Sequence, residues 1–115
     1  MFSAMEETDL AFAGIAEQAR LLRAGEVKSA ELVSLYLSRI ERINPRLNAF
    51  TDVFADRALA DAAAADERIA AGEELPLLGV PVAFKDELDI EGMVAEHGTR
   101  AYGGPPAPAA LSRAQ

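Results

Sequence analysis

The chain has no cysteine, no tryptophan, one histidine and only two lysines. Without cysteine there can be no disulfide and no thiolate metal site, a composition that suits a reducing cytoplasm. A lone histidine, His97, leaves zinc without its usual ligand sets. In a loop flanked by glycine it reads as an exposed or hydrogen-bonded side chain rather than a catalytic one. Long apolar runs are also missing. The longest, Leu77 to Phe84, is far short of the ~20 residues of a membrane span. The opening Met-Phe-Ser-Ala-Met-Glu-Glu has neither the basic start nor the apolar stretch of a signal peptide. Positive charge is scarce: the net charge is −8, which argues against a phosphate-binding surface for DNA or RNA. The expectation is a soluble cytoplasmic protein with no nucleic-acid or membrane partner, no cofactor and no metal.

What is present is largely alanine. Of 58 hydrophobic residues, 24 are alanine, and Leu, Ile, Val and Phe together number 29. That exceeds the range of disordered chains, yet it is a thin core for one autonomous domain of 115 residues.

Helical spacing runs through the first two thirds. Over 8–24, Leu10, Ala13, Ala16 or Glu17, Leu21 and Leu22 approximate one face; Thr8 or Asp9 can cap the start and Gly25 can stop the helix. Ser29 can cap a second helix over 30–44, where Leu32, Leu35, Tyr36, Ile40 and Ile43 follow an amphipathic pattern. Asn44-Pro45 should end it. A short strand is expected over 48–53. An alanine-rich helix over 54–71 carries a small-residue face, Ala58, Ala62, Ala65 and Ile69, suited to close helix packing, and an Arg57–Asp61 pair at i, i+4. Gly72 closes it, and a second strand is expected over 79–85. Residues 86–115 are mostly loop, rich in Gly and Pro. Within them, Gly103-Gly104-Pro105-Pro106 reads as a connector rather than a polyproline ligand.

The segment Leu78-Gly79-Val80-Pro81-Val82-Ala83-Phe84-Lys85-Asp86 carries the chemistry. Nine of eleven basic residues are arginine, so a lysine closing an apolar run invites a chemical explanation. Arginine stays charged, whereas a desolvated lysine can act as base or nucleophile. The plain alternative is a surface lysine in a solvated salt bridge to Asp86 or Glu87. A kinase-like Val-Ala-Ile-Lys strand is a further comparison, but it needs a glycine-rich hairpin upstream, and here an alanine helix stands in that place. The acidic turn Asp86, Glu87, Asp89, Glu91 does not have calcium-loop spacing and reads as solvated, with Asp86 able to orient Lys85.

The order of these features resembles the N-terminal part of the amidase signature family. The resemblance rests on the opening helices with Glu31-Leu32 and Tyr36-Leu37-Ser38-Arg39-Ile40, on Asn48-Ala49-Phe50, and on the alanine helix with Asp66 near its end. Leu78 to Asp86, Gly92, His97-Gly98-Thr99 and Tyr102 complete it. It covers the chain to about Pro108. It implies an α/β fold: about three helices, two short strands and an irregular C-terminal third, all one partial amidase domain over 1–115. It also implies a serine hydrolase that cleaves carboxamide C–N bonds of a small-molecule substrate through a Ser–cis-Ser–Lys triad. Within the family, the glutaminase-type subunit of transfer-RNA amidotransferases uses the same triad. Lys85 would be the lysine that takes a proton from the bridging serine.

The serines are the difficulty. Ser3, Ser29, Ser34, Ser38 and Ser112 are the five in the chain, and none stands in a Gly-Ser-Ser-Gly context or a Gly-x-Ser-x-Gly elbow. The resemblance therefore implies an enzyme piece with its base and without its nucleophile, inactive alone. The competing class is non-enzymatic: a truncated or split-gene product, or a small helical interaction module. The apolar faces left over by so small a core predict self-association.

Overall fold

The computed structural model describes residues 6–88, 90–96 and 99. Two compact units divide at Pro81 and Val82, and each is taken by itself. The first carries four helices: α1 (Glu7–Ala11), α2 (Ile15–Arg23), α3 (Ser29–Leu47) and α4 (Ala55–Ala70). None of the described helices is long and apolar enough to cross a membrane.

The expected α/β class is contradicted. Among the described residues there is no β-strand and no sheet; Glu91 carries one isolated bridge. A strand exists only where a neighbour accepts its ladder, and in both expected segments the backbone turns and commits individual groups elsewhere. In 48–53, Asn48 turns left-handed at φ 50°. The Asn44 side-chain amide then takes both backbone groups of Phe50, donating to its carbonyl at 3.0 Å and accepting its N–H at 2.8 Å. In 79–85, Gly79 sits at φ 86°, the Val80 N–H turns back to Leu77 O at 3.1 Å, and Pro81 has no N–H to give.

Helix boundaries differ instructively from the sequence reading. The stretch 8–24 is two helices, broken across Phe12 to Gly14. Neither Thr8 nor Asp9 caps the first, because the helix starts one residue earlier, at Glu7. Pro45 lies inside α3, which runs on to Leu47. Proline there removes one hydrogen bond in the last turn, and the Asn48 N–H closes the end on Asn44 O at 2.7 Å. Gly25 and Gly72 do stop their helices. Gly25 N–H bonds Leu22 O and Glu26 N–H bonds Leu21 O; Gly72 and Glu73 repeat the pair on Ile69 and Arg68, both Schellman closures.

The core is Leu10, Leu21, Leu22, Val27, Leu32 and Leu35, with Ala11, Ile69 and Val80 packed against it. The small-residue face of α4 buries Ala62 and Ala65, and α3 and α4 pack together. Alanine there lets two helices approach closely. Polar ties reinforce the apolar ones. The buried Gln18 amide donates to Leu10 O at 3.0 Å and to the Tyr36 hydroxyl at 2.7 Å, and that hydroxyl donates to Ala11 O at 2.8 Å. One side chain thus satisfies the end of α1 and joins α2 to α3, which offsets the cost of burying an amide.

Candidate functional site

Ser29 was expected to cap α3, but it stands one residue inside, as the first helical residue, with Lys28 at the cap position. Lysine offers no acceptor to the open N–H groups of a first turn. The deficit is met by Asp66 of α4. One carboxylate oxygen accepts the Ser29 N–H at 2.6 Å and the other accepts the Ala30 N–H at 3.1 Å. Glu31 adds a local contact by accepting the Lys28 N–H at 2.8 Å. That hydrogen bond holds the Glu31 carboxyl below its ordinary value of 4.5.

Freed from capping, the buried Ser29 hydroxyl donates to Gly79 O at 2.6 Å. Gly79 is pressed into the same place. A Cβ on it would lie 3.2 Å from Ile69 Cδ1, 3.2 Å from Ser29 Cβ and 3.4 Å from Leu22 Cδ1. Close approach and positive φ together demand glycine here.

Six residues further on comes Lys85. Val82 and Phe84, the apolar approach of the sequence reading, are 65% and 45% exposed. The Lys85 side chain is 77% exposed, and its Nζ pairs with Glu87 Oε2 at 3.1 Å. The Leu88 N–H closes a turn on Lys85 O at 3.0 Å. Asp86 does not orient the amine: its Oδ1 accepts the Glu96 N–H at 3.2 Å. Of the two carboxylates offered by the sequence, Glu87 is therefore the partner.

Two open surface depressions lie elsewhere. One is lined by Glu7, Ala30, Glu31, Ser34, Leu35 and Ser38, the other by Val53 to Arg57. No group of acidic, histidine or cysteine side chains suited to a metal occurs among the described residues. Ser34 and Ser38 are exposed on α3 and Ser29 is committed to Gly79. His97, Gly98, Tyr102, Asp89, Ser3, Ser112 and the Gly/Pro segment lie outside the described residues. Sequence reasoning missed the role of Asp66 as a cap, because its partners are 36 and 37 residues away and no local pattern signals such a contact.

The Amidase family model matches residues 31–111, from the first turn of α3 past Lys85, and the chain belongs to that family. Among its relatives, the Mycobacterium tuberculosis protein named "Putative amidase AmiB2" is 50% identical over 111 residues, which are 96% of this chain and 23% of that protein. "Putative amidase AmiA2" of the same organism is 51% identical over 79 residues, 69% of this chain and 16% of that protein. A glutamyl-tRNA(Gln) amidotransferase subunit from Prochlorococcus marinus is 51% identical over 80 residues, again 69% and 16%. The chain thus spans at most about a quarter of the length of these curated relatives.

Proposed function

We infer that this chain contributes the lysine base of an amide-hydrolysing site. In this reading Lys85 is the lysine of a Ser–cis-Ser–Lys triad, and both serines come from sequence outside these 115 residues. The observation that carries it is the family match, which takes in the lysine closing Val80 to Phe84. The neutral amine accepts a proton from the bridging serine; that serine deprotonates the nucleophilic one, which attacks the carboxamide carbonyl. An unperturbed lysine is almost wholly protonated at pH 7, so the base must be desolvated before it works. With Lys85 exposed and paired to Glu87, the described residues do not supply that desolvation. The chain alone is therefore expected to be inactive.

The substrate class is a small carboxamide. Glutamine is the specific variant, implied by the resemblance to the glutaminase-type subunit of transfer-RNA amidotransferases, and including it among aliphatic and aromatic amides separates the two. The test is ammonia release by the isolated chain beside its Lys85→Ala variant. Equal, background rates are expected. Turnover that Lys85→Ala abolishes would mean that the chain holds its own nucleophile and would overturn the assignment of the serines to other sequence.

A further inference from the structure

Lys85, Asp86 and Glu87 are charged neighbours within the second compact unit, and their surroundings differ. Lys85 and Glu87 are exposed and pair with each other, whereas Asp86 between them is half-buried. Asp86 turns its carboxylate to the backbone, where Oδ1 accepts the Glu96 N–H at 3.2 Å. Tight turns lie within the stretch so enclosed. The Leu88 N–H bonds Lys85 O at 3.0 Å, and the Met93 N–H bonds Ile90 O at 2.9 Å. Gly92, third residue of that second turn, has φ 78°, a position that favours glycine. Met93, Val94 and Ala95 are half-buried. Each turn spans three residues, but the Asp86 bond spans ten. It therefore ties the two ends of the segment together and makes a closed loop with Lys85 at its entrance.

We propose that Asp86 is a positioning residue for Lys85: its carboxylate clasps Glu96, closes the loop that begins at the lysine and holds the Lys85 backbone in one conformation. Two links carry the restraint to Lys85, the peptide bond it shares with Asp86 and the turn from its carbonyl to Leu88. The consequence for catalysis rests on the reading of Lys85 as the base; the clasp itself does not. A general base works only within hydrogen-bond reach of its proton donor. The lysine stem is long and flexible, and a backbone that wandered would add to the spread of positions the amine samples. Asp86 acts without touching the amine. It acts as a hydrogen-bond acceptor rather than as a charge, so asparagine, which keeps an oxygen at the same place, should serve in its stead.

The test reads the Lys85 backbone amide by ¹⁵N relaxation in the full chain. The clasp predicts an order parameter near ~0.85, the rigid range, in the native chain and in Asp86→Asn, and a fall below ~0.6 in Asp86→Ala. Glu96→Pro removes the donor from the other end and should have the same effect as Asp86→Ala. An order parameter already below ~0.6 in the native chain, or one that Asp86→Ala and Glu96→Pro both leave unchanged, overturns the proposal. So does a loss in Asp86→Asn equal to that in Asp86→Ala, which would assign the effect to charge. A second readout is turnover by an active amidase-family relative in which this chain replaces the matched segment. There Asp86→Ala should lower kcat by on the order of 10–10²-fold with KM little changed, and Asp86→Asn should restore it. If Lys85→Arg abolishes that turnover while Asp86→Ala leaves it intact, the lysine remains the base and the positioning role falls. If Asp86→Ala loosens Lys85 but Lys85→Arg costs no activity, the clasp stands and the reading of the lysine falls.

Discussion

The residues around Gly79 and those around Lys85 are six positions apart and follow opposite rules. At Gly79 three distant parts of the sequence converge, with part-buried hydrogen bonds of 2.6 Å spanning 37 and 50 residues. At Lys85 the side-chain partner is two residues away and the side chain is 77% exposed. Non-local, buried contacts make a fold, and breaking them is expensive. A short-range exposed ion pair contributes little. The lysine that carries the proposed chemistry thus stands in short-range, exposed contacts, whereas Gly79 is tied to distant parts of the sequence.

That contrast can be broken or sharpened by substitution, starting at the core. Leu32 is fully buried, and Leu32→Ala should destabilise the chain by ~2–5 kcal/mol in urea unfolding followed by circular dichroism. Gly79→Ala comes next. It meets Ile69 and Ser29 at 3.2 Å on a backbone at φ 86°, so a loss of ~1–3 kcal/mol is expected. A smaller effect is set by pH. Because the Lys28 N–H holds the Glu31 carboxyl below 4.5, the stability it contributes is fully present above that value. It is lost as the pH falls through the depressed native value. Glu31→Gln should remove that contribution, lowering stability across the neutral and alkaline range towards its acid value and so flattening the acid limb. Lys85→Ala should change stability least, within ~0.5 kcal/mol. A Lys85→Ala loss comparable to that of Leu32→Ala would erase the distinction between the two regions.

How much of this could be read from residues alone follows the same division. Local devices were legible. Gly25 and Gly72 stop their helices, Arg57 and Asp61 pair at 3.7 Å as i, i+4 neighbours, and the face holding Ala62 and Ala65 is buried. The Lys85–Glu87 pair, two residues apart, was one of two partners offered by the sequence. The failures came where tertiary context overrides a local signal. Asn44-Pro45 looked like a helix end, yet proline in a last turn removes only one hydrogen bond, and α3 continues. The apolar runs at 48–53 and 79–85 looked like strands, but apolarity does not supply a ladder partner, and Asn44 and Gly79 redirect the backbone. Asp66 carries no local signal of its capping role, which depends on residues far away in the chain. The candidate base was found through the resemblance, and its exposed setting was the outcome of the plain salt-bridge reading.

Self-association sharpens the comparison from the other side. Leu47, Val53 and Phe54 around the Asn44 clamp are 66%, 45% and 51% exposed, and exposed apolar patches favour association. Sedimentation over a concentration series should show a rising mass, and Phe54→Ser should reduce it.

The central claim is that Lys85 serves as a base once an amidase supplies the serines. Its most direct measurement is carboxamide turnover by a chimera in which this chain replaces the matched segment of an active amidase-family relative, compared with the same chimera carrying Lys85→Arg. Arginine keeps the charge and the ion pair with Glu87 but cannot give up its proton. The account predicts a loss of kcat of at least about 10²–10⁴-fold with the fold intact. A Lys85→Arg chimera that turns over amides as fast as its parent would contradict it.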